Sequence, residues 1–189
     1  MVTELLMGKF VRLAAVEPKE IVEATVRWNR DSEYQRFAML EPANLISTKR
    51  LTEWAEKDQE KEPPAFFYFA IRTLDGDRLI GSCGMGGDIY PHGEGFVGIG
   101  IGDRQDWNKG YGTDAMQVLL SFAFNELNLR RVSLSVLNHN ARGIRSYVKA
   151  GFVREGIQRG SVLREGQRWD DVFMGILREE WLANKNIDN

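Results

Sequence analysis

The sequence predicts an α/β (α+β) domain: one mixed sheet carrying helices on both faces. Three observations support this. Segments with strand-like alternation are interspersed with segments of helical periodicity. Gly, Pro and Asp-Gly signals cut the chain into units of ordinary element length. The units run as a strand, two helices, an antiparallel meander, then helix and strand in alternation, ending on a hairpin.

Residues 10–14 read as the first strand. Pro18 suits a first helical turn, and Ile21, Ala24, Val26 and Trp28 carry that helix to about Arg30. Residues 31–45 read as loop, although Tyr34, Phe37 and Met39 give them more apolar surface than a linker needs. Ser47 or Thr48 caps a second helix through Leu51, Trp54 and Ala55, which dissolves into the charged run 56–62 and stops at Pro63-Pro64. Residues 66–72 and 79–89 form a hairpin about Asp75-Gly76, and the chain turns again at Pro91, His92 and Gly93 into a Gly-interleaved strand over 95–102. Met116, Leu119, Leu120, Ala123 and Leu127 mark one face of the next helix. Residues 132–136 are a strand and 140–149 a short helix ended by Gly151. Residues 153–163 and 168–177 make a last hairpin around Glu165-Gly166.

At 189 residues, 43% hydrophobic and 28% charged, the chain reads as a single domain over residues 8–182. A net charge of −2 argues against nucleic acid as partner, and Arg154, Arg159, Arg164 and Arg168 read as a solvated strand face. The single cysteine, Cys83, excludes an internal disulfide framework and reads as a buried, inert thiol. His92 and His139 lack partners at metal-ligand spacing, so no metal site is expected. With neither a secretory pattern at the N-terminus nor a run of membrane-spanning length, no membrane partner and a cytoplasmic location are expected.

Chemistry concentrates in Trp107-Asn108-Lys109-Gly110-Tyr111-Gly112-Thr113. Two glycines one residue apart let a turn present its amide hydrogens in one direction, and the helix that follows adds its unpaired N-terminal amides and positive dipole end. Strand, loop and helix together make a receptor for a phosphate or diphosphate. Eleven of the 19 glycines fall between Gly81 and Gly112, which points to a ligand or another backbone approaching closely, or else to a meander that merely twists. No Gly-x-x-x-x-Gly-Lys-Ser/Thr occurs, and no Gly-x-Gly-x-x-Gly follows a strand and opens a helix. Further along, Asn140, Ile144, Tyr147 and Gly151 share one helical face. Asn140 reads either as a helix N-cap or as donor and acceptor toward an amide-rich ligand arm. Tyr147 reads either as a core aromatic or as a proton donor.

These two stretches together resemble the GCN5-related N-acetyltransferase (GNAT) superfamily, and within it the ribosomal-protein-alanine N-acetyltransferase-like (RimJ/RimL-type) branch. The superfamily's loop pattern, Gln/Arg-x-x-Gly-x-Gly/Ala, aligns with Trp107 to Gly112, and its Asn…Tyr…Gly-Phe pattern with Asn140, Tyr147, Gly151 and Phe152. Glu155-Gly156, Arg159, Gly166, Trp169-Asp170-Asp171 and Glu180-Trp181 extend the likeness to the C-terminal part. Two positions depart from the pattern: Trp107 stands where Gln or Arg opens the loop, and Phe96 where an acidic residue is often found.

The resemblance implies a sheet splayed between two parallel strands, with acetyl-CoA as co-substrate in the gap. Amides of Asn108, Lys109, Gly110, Tyr111, Gly112 and Thr113 would hold the diphosphate. Backbone at Ile99, Gly100 and Ile101 would pair with the pantetheine arm, which Asn140 would also contact. An amide near Ile99 would polarise the thioester carbonyl. An amine would attack directly, Tyr147 protonating the departing thiolate and Glu94, on the same strand face as Phe96, acting as base. The alternative to Glu94 as base is a solvated strand-end carboxylate. The acceptor is a protein N-terminal α-amine or a small-molecule amine, bound near Trp28, Tyr34 and Phe37 unless these are simply core. Drug or polyamine acetylation, or an acyl-CoA-binding regulatory module without turnover, are the alternatives. Related proteins often form homodimers, and the same is expected here.

Overall fold

The computed structural model describes residues 5–40, 42–58, 66–87, 89 and 92–187. A seven-stranded sheet forms its centre, in the order β1 (Val11–Ala14), β2 (Phe66–Thr73), β3 (Leu79–Gly86), β4 (Glu94–Ile101), β5 (Arg131–Leu137), β7 (Gln167–Leu177) and β6 (Val153–Arg164). Every neighbouring pair is antiparallel except β4–β5. The helices are α1 (Pro18–Trp28), α2 (Ser32–Ala38), α3 (Thr48–Asp58), α4 (Tyr111–Asn125), α5 (Ala141–Lys149) and α6 (Arg178–Ile187).

Alternation along β4 decides what lies on each face. Val97, Ile99 and Ile101 join the main core, which α4 fills with Ala115, Met116, Leu119, Leu120, Ala123 and Phe124 and which Trp181 of α6 closes, its ring 5.1 Å from Phe124. The other face receives α1 through Ile21, Val22, Ala24 and Trp28, with Tyr34, Leu51 and Tyr68 packed against them. Much of the glycine enrichment serves this packing. A Cβ at Gly102 would lie 2.0 Å from the Trp28 ring, at Gly100 2.9 Å from the Tyr34 hydroxyl, and at Gly84 2.4 Å from Phe66. Gly98, by contrast, faces open space. At those three glycines the close approach is the protein's own aromatic side chains, whereas at Gly81 it is the Gly100 carbonyl and at Gly95 the Leu129 and Met85 side chains.

Five expectations need correcting. Residues 32–38 are helical: Asp31 accepts the amides of Glu33 and Tyr34 and starts a helix too short to show periodicity. Arg164 does not belong to a solvated face. It donates to the main-chain oxygens of Arg36 (2.8 Å) and Met39 (3.0 Å), tying the β6–β7 hairpin to the end of α2. The second strand of the first hairpin ends at Gly86, and the helix after the loop ends at Asn125. A C-terminal helix follows β7 directly, its Glu180 carboxylate accepting the Leu177 amide. Ser47 is the residue that caps α3, accepting the Arg50 amide. The end of the charged run, with Pro63-Pro64, and Pro91 lie outside the described residues.

Candidate functional site

β4 and β5 pair only over Glu94–Phe96 against Arg131–Ser133. Beyond that point β4 keeps β3 as far as Ile101, and β5 keeps β7 as far as Leu137, so the two parallel strands part like a fork. The inner edge of β4 from residue 97 onward has no strand partner, and its main-chain groups face the opening. A cavity fills this opening. Ile99, Gly100 and Ile101 line it from β4, Asn108, Gly110, Tyr111, Gly112 and Thr113 from the loop, and Asn140 and Tyr147 from the far arm.

The loop owes its shape to two left-handed residues, Asn108 (φ 61°) and Gly110 (φ 87°), the latter at the N-cap of α4. Among the described residues no backbone hydrogen bond uses an amide of residues 108–113 as donor. These are the orphan donors of a helix start, concentrated on one cavity. The one carboxylate in that first turn, Asp114, is engaged elsewhere: it accepts the amides of Lys9 (2.9 Å), Phe10 (2.7 Å) and Val11 (3.0 Å), fastening the N-terminal strand beneath the loop. Lys109 turns away from the cavity, its Nζ lying 3.7 Å from Asp106. Trp107 Nε1 donates to Ile101 O at 2.8 Å, pinning the loop to the end of β4.

On the other arm, Asn140 caps α5, its Oδ1 accepting the Gly143 amide at 2.9 Å, while the residue still lines the cavity. Tyr147 projects from the next turns of α5, and burial pushes its hydroxyl up to about 12. Thr113 and Ser146 join α4 to α5 through a hydroxyl pair at 2.8 Å.

A second cavity lies on the opposite face of the sheet, between α1–α3 and β2–β4, and touches Gly98, Ile99 and Gly100. Tyr34 and Ala38 line both cavities, so the two meet at Ile99–Gly100. Its walls are mostly apolar, with Thr25, Asn29, Tyr68, Ser82 and Arg50, and no Asp, Glu or His contributes to them among the described residues. Trp28, one of three aromatics expected at an acceptor pocket, is instead core, 2% exposed. Tyr34 stands between the cavities, and Phe37 lines the first.

The structure thus brings Ile99, Gly100, Ile101, the loop and the α5 residues to one cavity. Glu94 stands apart. It begins β4 at the paired end of the fork, about 13 Å of strand before Gly98, lines neither cavity and forms an ion pair with Arg130. Cys83 is buried, which raises its thiol well above the ordinary range and keeps it unreactive. Among the described residues no helix is long and apolar enough to cross a membrane, and no His/Cys/Asp/Glu group of metal-binding form occurs. Arg142 and Ser146 also line the cavity without having been singled out from the sequence. Arg142 lies off the Asn140–Tyr147 face, and a lone Ser on a helix carries no motif.

Comparison with known proteins agrees with this architecture. The "Probable N-acetyltransferase YjcK" of Bacillus subtilis (strain 168) is 31% identical over 185 residues, covering 93% of this chain and 98% of that protein. A solved spermidine N-acetyltransferase from Vibrio cholerae, in complex with CoA and spermine, superposes with a TM-score of 0.80 at 23% identity, covering 91% of this chain and 98% of that one. A GNAT-family acetyltransferase from Bacillus anthracis superposes with a TM-score of 0.76 at 20% identity, over 92% and 98%. GNAT acetyltransferases use acetyl-CoA as co-substrate, and the free amides and unpaired strand edge in the fork fit its diphosphate and amide-bearing arm. The family described as "Acetyltransferase (GNAT) domain" matches residues 11–153, so the chain belongs to the GNAT acetyltransferases.

Proposed function

We propose that residues 8–182 act as one catalytic domain that moves the acetyl group of acetyl-CoA onto a primary α-amine, at a protein N-terminus or on a small molecule. This is the reaction of the RimJ/RimL-type branch that the motifs resemble. The observation that carries the reading is the meeting of two cavities at Ile99–Gly100. With the diphosphate on the 108–113 amides and the pantetheine arm along the free edge of β4, the thioester reaches the point where the second cavity opens. An amine in that second cavity attacks the thioester carbonyl carbon. The carbonyl oxygen gathers charge, which a main-chain amide near Ile99 stabilises. Collapse expels the thiolate, toward which the Tyr147 hydroxyl donates. A desolvated thiolate has its own basicity raised, which narrows the gap to a phenol near 12.

The chemistry of the second cavity favours an α-amine. An α-amine titrates near pKa ~8 and a lysine-type amine near ~10, so the former sheds its proton to water without a strong base. No carboxylate or imidazole among the described residues lines this cavity, and Glu94 is tied to Arg130. The same lack of carboxylates disfavours a polyamine, whose charges call for acidic partners. Here the chain parts from the spermidine acetyltransferase whose fold it shares.

The test offers purified protein a panel of peptides with free N-termini, amino acid amides, aminoglycosides and spermidine, with acetyl-CoA, reading thiol release and the acetyl mass increment on the amine. α-Amines are expected to be acetylated, with kcat/KM rising through pH ~8 and the same profile in Glu94→Gln. Acetylation of spermidine alone would replace this acceptor class. Binding of acetyl-CoA without thiol release across the panel would make the chain a regulatory module.

A further inference from the structure

The diphosphate cradle contains a cation that the loop does not supply. Trp107 occupies the loop's first position, and the loop's one cation, Lys109, turns to Asp106. Across the fork, Arg142 reaches back from α5. Its Cζ sits 3.6 Å from the centroid of the Trp107 ring and 5.2 Å from that of Phe37, and the two ring centroids are 6.2 Å apart, so the guanidinium stacks on Trp107 with Phe37 to one side. Phe37 is itself backed by His139 at 5.6 Å, and His139 by Trp169 at 4.4 Å, which fixes the platform from behind. The contact therefore links the two arms of the fork beyond the point where their strands part.

Among the described residues no hydrogen bond or ion pair satisfies this guanidinium. The acid that acts on it, Glu33, is held by Arg104, and Asp106, which lines the same cavity, is held by Arg78 and Lys109. Burial presses Arg142 below its ordinary value; Glu33 pulls the other way, and Arg104 and Arg145 each add a smaller lowering effect. A half-buried cation, stacked on a ring and without an anion, is stabilised further when an anion arrives. Five N–H groups in a planar fork suit phosphate oxygens, and aromatic stacking leaves their edges free to donate.

We propose that Arg142, held on the Trp107 ring, supplies the charged contact to the diphosphate of acetyl-CoA, and that Trp107 serves as its platform. The proposal rests on the acetyl-CoA reading above. The residues act as binding and positioning groups and take no part in the chemistry. Arg145 and Lys149, also on α5 and lining the cavity, add diffuse charge.

Calorimetric titration of the full chain with CoA at low and high NaCl tests this. Arg142→Gln keeps length and loses charge. It should weaken CoA binding about tenfold at low salt, and the loss should shrink to a few-fold at high salt. Trp107→Leu, which leaves the charge without its platform, should weaken binding in the same direction, and Arg142→Lys should fall between wild type and Gln. Wild-type affinity in Arg142→Gln, or an equal loss at both salts, would overturn the proposal. A wild-type protein that binds no CoA would instead defeat the acetyl-CoA reading itself, so the two failures are distinct.

Discussion

Tyr147 is held where its hydroxyl stays protonated throughout the neutral range, because burial lifts it from the ordinary value of 10.0 to about 12. A phenol held protonated suits the proposed role of donor to a leaving thiolate and not that of base. The thiolate is already a fair leaving group, so Tyr147→Phe should lower kcat about tenfold and leave the KM for acetyl-CoA within about twofold; steady-state thiol release measures both. An unchanged kcat would reduce Tyr147 to a wall of the cavity. The same shift has a stability consequence. The folded state holds this proton more tightly than the unfolded chain, so the contribution is whole below pH 10 and is lost as pH rises toward 12. Tyr147→Phe removes that loss, and its melting temperature should fall less steeply than wild type above pH 10.

Residue by residue, the sequence was legible where chemistry needs a fixed local pattern. Gly110 with φ 87° opens a helix whose amides must stay free, and Gly-x-Gly before a periodic run announces that. Asn140 caps α5, as one of its two readings had it, and also lines the cavity where the other would place it against a ligand arm. Arg142 was not legible, because its place depends on a ring thirty-odd residues away across the fork. Nor was the isolation of Glu94: strand parity puts it on the face of Phe96 but says nothing of how far along the strand the fork opens.

Among the elements, α2 carries the most consequence for its length. Seven residues cannot display a 3.6-residue period, and only Asp31 ahead of Ser32 and Glu33 signals its start. Yet α2 supplies Tyr34, Phe37 and Ala38 to the cavities, and Arg164 anchors its end. Arg104, beside Asp31, holds that carboxyl at about 2, with the amides of Glu33 and Tyr34 adding to the effect. Asp31→Ala should cost about 1 kcal/mol through the lost cap, read as a lower melting temperature at pH 7, with a raised KM for the acceptor. The sign follows from the depressed value: the contribution is present above the unfolded 3.8 and lost as pH falls toward 2. The melting gap between wild type and variant should therefore be full at neutral pH and close below pH 4. A gap that persists unchanged in acid would mean that the carboxylate charge plays no part. The C-terminal helix was hidden for a different reason: among its described side chains only Trp181 is buried, and a single apolar anchor makes no pattern.

At the scale of the molecule, the fork is a weakness in the sheet as well as a site. Two central strands give up their ladder beyond Phe96 and Ser133, and a free strand edge and six loop amides are left for a ligand to complete. The order of elements made the mixed sheet readable, and the one parallel pair among antiparallel ones came from the family resemblance and not from any local pattern. On the proposed reading acetyl-CoA lies between the arms and would restore the missing contacts on both sides, so its binding should stiffen both. At CoA concentrations near a hundred times Kd, linkage adds about 2.7 kcal/mol, a rise of roughly 5–10 °C in melting temperature for a domain of this size. Amide exchange should slow on β4 from residue 97 onward and on β5 beyond Ser133 together, because a ligand seated in the fork bridges strands that no longer protect each other. Slowing confined to one arm, or a melting temperature that ignores CoA, would mean that the ligand does not occupy the gap between the strands.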